Sequence, residues 1–199
     1  MAWLQTLSGK AFDLSNPDPA MVDFEADVAP ALAKLARFTG HTLGDMAYSV
    51  AQHCVLGAES ILAATGSERL AALFLLHDAH EAYIGDIPTP AVEALGEMFQ
   101  DGIGPEVALL KWQIDHAIFE AAGVPMPTEA EAAIIKRHDT AMMNAERAVL
   151  KLPPPRSWGA EIDAVPAADV DLGDLEPWEP WAAEERWMWA FERFVGVES

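Results

Sequence analysis

Apolar residues recur at helical spacing along most of this chain, and glycine or proline closes the runs. Met21, Phe24, Val28, Leu32 and Leu35 fall near one helical face over residues 21 to 37, and RFTGHTLGDM breaks that helix at Gly40. A second helix is expected from about Ala47 to Ala64. A third is expected from about Ser67, its candidate cap, to Gly85. Prolines 88 and 90 delimit a loop, after which AVEALGEMFQ, PEVALLKWQIDHAIFEAAG and TEAEAAIIKRHDTAMMNAERAVL each read as helices. Thr128 followed by Glu131 is a capping-box pattern opening the last of them.

Two stretches depart from this pattern. WLQTLSGKAFDL reads as two short extended runs around Ser8-Gly9, a β-hairpin within residues 1–15. KLPPPRSWGAEIDAVPAADVDLGDLEPWEPW is rich in Pro, Gly and Asp and reads as irregular, and WAAEERWMWAFERFV reads as an amphipathic helix with Trp181, Met188, Phe191 and Val195 inward. The expected fold is therefore all-α, a helical bundle with a short N-terminal hairpin and a C-terminal amphipathic helix. Residues 1–150 form the functional domain, and residues 151–199 pack on it. With 199 residues and 51% apolar composition, the chain is long enough for one full core. Core packing is the default role for Trp112, Trp158, Trp178, Trp181, Trp187 and Trp189.

Charge and composition remove several function classes. The net charge of -20 repels polyanions, so a nucleic-acid polymer is not an expected partner. A small phosphorylated substrate remains compatible, because one bound divalent ion inverts the field inside a pocket. No signal-peptide pattern and no membrane-spanning apolar run occurs, which points to the cytoplasm and to no membrane partner. The single cysteine, Cys54, excludes an internal disulfide and a thiolate metal cage.

LLHDAHEAYIGDIPTP, residues 75 to 90, gathers imidazoles and carboxylates beside a Leu-Leu run. Polar groups at the edge of a core need a partner, and a cation is one. Four groups lie in helical segments with apolar neighbours: His53 in SVAQHCVLG, the pair His77-Asp78, and Asp139 in IIKRHDTAMM. Nitrogen and oxygen ligands from separate helices can converge on a divalent ion such as Mn, Co, Fe, Zn or Ni and leave positions open for water and substrate. Glu81, four residues past His77, shares its helical face and could hold a water there, and Asp86 could act from the rim. Cys54 should point away from the ion by helix geometry. His138 reads as solvent-facing or as a support beside Asp139.

His53, His77-Asp78 and Asp139, in that order on successive helices, resemble the H…HD…D signature of the HD-domain phosphohydrolase superfamily. The string HDAHEAYIGDIPTP is similar to the form found in its YfbR-like 5′-deoxynucleotidase branch and in phage and prophage relatives. The likeness begins at TLSGKAFDLSNPDPAMV, runs through RFTGHTLGDMAYSVAQH and reaches about Leu150. It implies one divalent transition metal on His53, His77, Asp78 and Asp139, with Glu81 and Asp86 positioning or deprotonating the attacking water. Arg37 and Lys136 would be the cations for substrate phosphate, and a homodimer is implied by the same analogy. Many members carry a lysine after the G-D-[ILV]-x-[ST]-P turn, where this chain has Val92, and His41 and His80 are the nearby replacements. The implied activity is a 5′-nucleotidase on a small (deoxy)nucleotide. The alternatives are a deoxynucleoside triphosphate hydrolase releasing tripolyphosphate, or a non-catalytic metal- or nucleotide-binding protein.

Overall fold

The structure, a computed structural model, describes residues 2–98 and 102–196. It is mostly α-helical, with one two-stranded antiparallel hairpin at the start, β1 (Trp3–Gln5) and β2 (Ala11–Asp13), in the register Leu4 opposite Phe12. The hairpin turn is tied to the helical body by Asp27, whose carboxylate accepts from the Ser8 backbone N–H at 2.7 Å and its hydroxyl at 2.8 Å. Phe12 is fully buried and stacks on Tyr83 with ring centroids 3.8 Å apart, so the hairpin braces the segment just after the His-Asp pair.

The expected helix over 21 to 37 is shorter and more broken. A 3₁₀ turn Pro19–Met21 and a π-helical turn Phe24–Val28, capped by Asp23, lead into α1 (Ala29–Lys34). Leu35 and Ala36 then turn extended, and Ala36 bridges Ser49. After this bridge Phe38 and Thr39 take positive φ angles of 55° and 56°, a conformation non-glycine residues rarely hold.

α2 (Val50–Thr65) begins three residues later than expected, after the N-cap Ser49, whose side chain accepts from the Gln52 N–H. It is buried on nearly every face, since hydrophobic neighbours surround it. Gly57 permits the closest approach: a Cβ there would stand 2.0 Å from the Phe74 ring of α3 (Glu68–Leu76). α3 ends at Leu76 rather than at Gly85. The reason is local, because the Phe74 carbonyl takes the His77 ring at 2.6 Å instead of continuing the α ladder. A run of i to i+3 backbone bonds follows through residues 77 to 83, with α4 (Glu81–Ile84) closing at Gly85.

α5 (Thr89–Met98) covers the described part of the AVEALGEMFQ helix; Phe99 and Gln100 lie outside the described residues. α6 (Gly104–Ala121) and α7 (Glu129–Leu150) follow, and Thr128 and Glu131 form the expected capping box. The arm beyond contains one helical turn, α8 (Ala160–Asp163), and then α9 (Pro180–Phe194), which packs against α1, α2 and α3. α9 buries Ala183, Trp187 and Ala190 in the common core, with Val195 behind them. Trp181, expected inward, is 67% exposed because it falls in the first turn, before the helix reaches the core. Trp112 and Trp189 are also exposed, so of the tryptophans expected in the core only Trp187 is fully buried. No described helix is long and apolar enough to cross a membrane.

Candidate metal centre

Four side chains from three places in the chain meet between α2, α3 and α7. His53 sits in the first turn of α2 with its side chain fully buried, His77 and Asp78 follow the end of α3, and Asp139 lies midway along α7. His53 Nε2 is 3.4 Å from Asp139 Oδ1 and 3.8 Å from Asp78 Oδ2. His77 Nε2 is 3.1 Å from Asp78 Oδ2 and 3.9 Å from Asp139 Oδ1. Ligands bonded at about 2.1 Å to one ion stand about 3.0–3.4 Å from adjacent ligands and up to about 4.2 Å from opposite ones. The measured separations fall in that range.

Hydrogen bonding fixes what the two imidazoles present to this point. His77 Nδ1 lies 2.6 Å from the Phe74 carbonyl and His53 Nδ1 lies 2.6 Å from Glu146 Oε1. A carbonyl and a carboxylate only accept, so each Nδ1 carries the hydrogen and each Nε2 turns a lone pair inward. Both Nε2 atoms are buried without a hydrogen-bond partner. Two lone pairs and two carboxylates thus face one another with no donor among them, an arrangement that a cation or a proton must resolve.

Charge points the same way. Asp78, Asp139 and Glu146 lie around a single guanidinium, Arg37, which reaches them at 3.5, 3.9 and 3.2 Å. Lys136 reaches Asp139 from the outside as well, and one negative charge still remains in excess, which a bound cation offsets. Where no ion is bound, burial alone would lower the His77 pKa, but Asp78 outweighs it and holds the imidazole well above its ordinary value. Burial opposes ionisation of Asp139, yet His53, His77 and Arg37 hold its carboxyl well below the usual range. A proton on His77 is then the substitute for the missing positive charge, and metal and proton compete for the same lone pair.

The other sequence candidates are placed unequally. Arg37 comes to the site, but its guanidinium is 11% exposed and lies against the ligand carboxylates rather than opening to solvent. Lys136 is 78% exposed and reaches Asp139 Oδ2 at 3.0 Å from the outside. Glu81 is buried next to Asp78 because the tightened turn stacks residues three apart. Burial, with Asp78 and Asp86 nearby, pushes its carboxyl up to about 9. Asp86 is half-buried, and its carboxyl is raised by burial and by Asp78. His41 is exposed on the surface. His138, half-buried, packs its ring edge-on to Phe74 at 5.3 Å.

Cys54 corrects a geometric expectation. Its sulfur lies within 4.8 Å of ligand atoms of His77 and Asp78, so it does not point away from the cluster. Burial pushes the thiol up to about 11, so it is present as a neutral thiol.

Sequence reasoning missed Glu146 and Lys111. Glu146 is fully buried, orients His53 and holds Arg37; its signal was its position seven residues after Asp139, on the same face of α7. Lys111, on α6, acts electrostatically on both Glu81 and Asp86, and no local pattern marks it.

Fold and site together define a mostly α-helical protein with a buried histidine and carboxylate cluster able to hold a metal ion. No family model matches the chain. It is 31% identical over 172 residues to the uncharacterized protein YfdR of Escherichia coli (strain K12), across 85% of this chain and 84% of that protein, and it belongs to the YfdR family. It is also 44% identical over 98 residues to the uncharacterized protein RCAP_rcc00048 of Rhodobacter capsulatus; that match covers 48% of this chain and 50% of the relative's length.

Proposed function

We propose that the protein is a divalent-metal-dependent phosphohydrolase of the HD type that acts on small nucleotides, most simply as a 5′-nucleotidase. The observation that carries this reading is the pair of inward lone pairs on His53 and His77, fixed by Glu146 and the Phe74 carbonyl and facing Asp78 and Asp139. His53, His77, Asp78 and Asp139 would hold a transition ion of the Mn, Co, Fe, Zn or Ni group. Bound there, the ion supplies a Lewis acid that acidifies water and polarises a phosphoryl oxygen.

The chain's own groups account for the rest. Glu81, raised to about 9 by burial, Asp78 and Asp86, keeps its proton at neutral pH and can hand it to a departing 5′ oxygen, a poor leaving group as the alkoxide. Asp86, nearer the rim, can exchange that proton with solvent. Lys136 is the cation free enough to meet substrate phosphate, while Arg37 keeps the ligand carboxylates in place. The dimer and the choice between mono- and triphosphate belong to the same reading.

Incubating the protein with Mn or Co and a panel of nucleoside mono- and triphosphates tests it. Release of phosphate or tripolyphosphate, abolished by Asp78→Ala, is expected. Equal turnover by the variant would trace the activity to a contaminant. Nucleotide-dependent stabilisation without turnover would favour a binding protein instead.

A further inference from the structure

A second cluster lies beside the first. Asp78, His80 and Glu81 each offer a ligand atom within 4.8 Å of the other two. His80 is 5% exposed, and its Nδ1 lies 2.9 Å from Asp115 Oδ1 on α6. The carboxylate accepts, so Nδ1 carries the hydrogen and Nε2 presents a lone pair. This repeats, with a different helix, the way Glu146 orients His53. Both His80 Nε2 and Glu81 Oε2 are buried with no hydrogen-bond partner. Neighbouring polar groups left in this way are costly unless a shared proton or a metal ion joins them.

Asp78 connects the two clusters. Its Oδ2 is the oxygen that approaches His53, His77 and Arg37, which leaves Oδ1 for another partner. We propose that the protein binds a second divalent cation on His80 Nε2, Glu81 and Asp78, with the Asp78 carboxylate bridging it to the first. The proposal rests on the reading of His53, His77, Asp78 and Asp139 as the first metal centre. One imidazole and two carboxylates suit a borderline ion such as Mn or Zn. Paired ions about 3.5–4 Å apart can clamp both the attacking and the leaving oxygen of a phosphoryl transfer. With Glu81 engaged as a ligand, Asp86 remains as the proton carrier at the rim.

Manganese alone is the probe, with stoichiometry by elemental analysis after equilibrium dialysis and coupling between ions by electron paramagnetic resonance. The wild-type chain should take up two Mn, the second more weakly, and a spin-coupled spectrum should grow in as the second loads. His80→Ala should bind one and show only the uncoupled spectrum. Glu81→Gln should do the same and serves if His80→Ala fails to fold. Saturation of the wild type at one ion, or two ions retained by both variants, ends the second site. One ion that is lost in His53→Ala would leave the first centre standing, whereas no bound ion at all would remove both.

Discussion

The ligand-bearing interface of α2, α3 and α7 and the helix α9 packed behind it depart from ordinary burial in opposite directions. In the first, His53 and Glu146 are wholly removed from water although both are polar, and lone pairs lie buried without donors. In the second, Trp181 and Trp189 are more than half exposed although both are large and apolar, while Trp187 from the same helix is fully buried. An exposed tryptophan costs a helical surface little, but a buried imidazole without a partner is retained only where something compensates it. The departure at the ligand face therefore carries chemical information that the departure on α9 does not.

The sharpest break in that comparison lies within α9 itself. Trp187 stacks against Phe24 and Phe191 with centroids 6.4 and 5.4 Å away, so Trp187→Ala should cost about 3–5 kcal/mol in chemical denaturation. Trp181→Ala should stay within about 0.5 kcal/mol of wild type. Similar losses for both would mean that Trp181 is covered by something else, such as a second copy of the chain.

On the polar side, Glu146→Gln keeps an acceptor near His53 but removes the charge that fixes its tautomer and holds Arg37. Metal affinity, measured by competition with a chelator, should fall about 10–100-fold. An unchanged affinity would reduce Glu146 to a structural partner of Arg37 and would weaken the claim that buried polarity here serves an ion.

Much of this contrast was legible in the chain and some was not. The capping signals of Ser67 and Thr128 placed the starts of α3 and α7, and apolar spacing placed the length of α7, because caps and periodicity are local. His53, His77, Asp78 and Asp139 stood out because ligand-type side chains in apolar company are unusual, and the fold does bring them together. The end of α3 at Leu76 was hidden, since it depends on the His77 ring competing for the Phe74 carbonyl. The inward turn of Arg37 was hidden for a related reason. Its partners Asp78, Asp139 and Glu146 are 41 residues away or more, and only tertiary packing reveals that they outbid solvent for the guanidinium. Trp181 went wrong because amphipathic spacing gives a face but not where along the helix the core begins.

The finest test asks whether the buried carboxyl at the ligand face behaves as its surroundings demand. Glu81 has an ordinary pKa of 4.5 and a folded value of about 9. Between those values the unfolded chain has released a proton that the folded chain keeps, so stability falls as pH rises, by at most about 1.4 kcal/mol per pH unit. His77 acts with the same sign but later: its raised pKa stabilises the fold below 6.5, and that contribution is lost as pH climbs through the folded value. The depressed carboxyls Asp78, Asp139 and Glu146 contribute stability that disappears only in acid. Thermal melts of chelator-treated protein between about pH 5 and 6.5 read Glu81 and Asp86 against His138, whose burial-lowered pKa gives a contribution that rises with pH there, so the difference between wild type and Glu81→Gln isolates Glu81. Wild type should lose stability across that window, and Glu81→Gln should lose less. Parallel curves would mean that Glu81 ionises like a surface carboxylate, and the ligand face would then differ from α9 in composition but not in the energetic strain that makes it a candidate for chemistry.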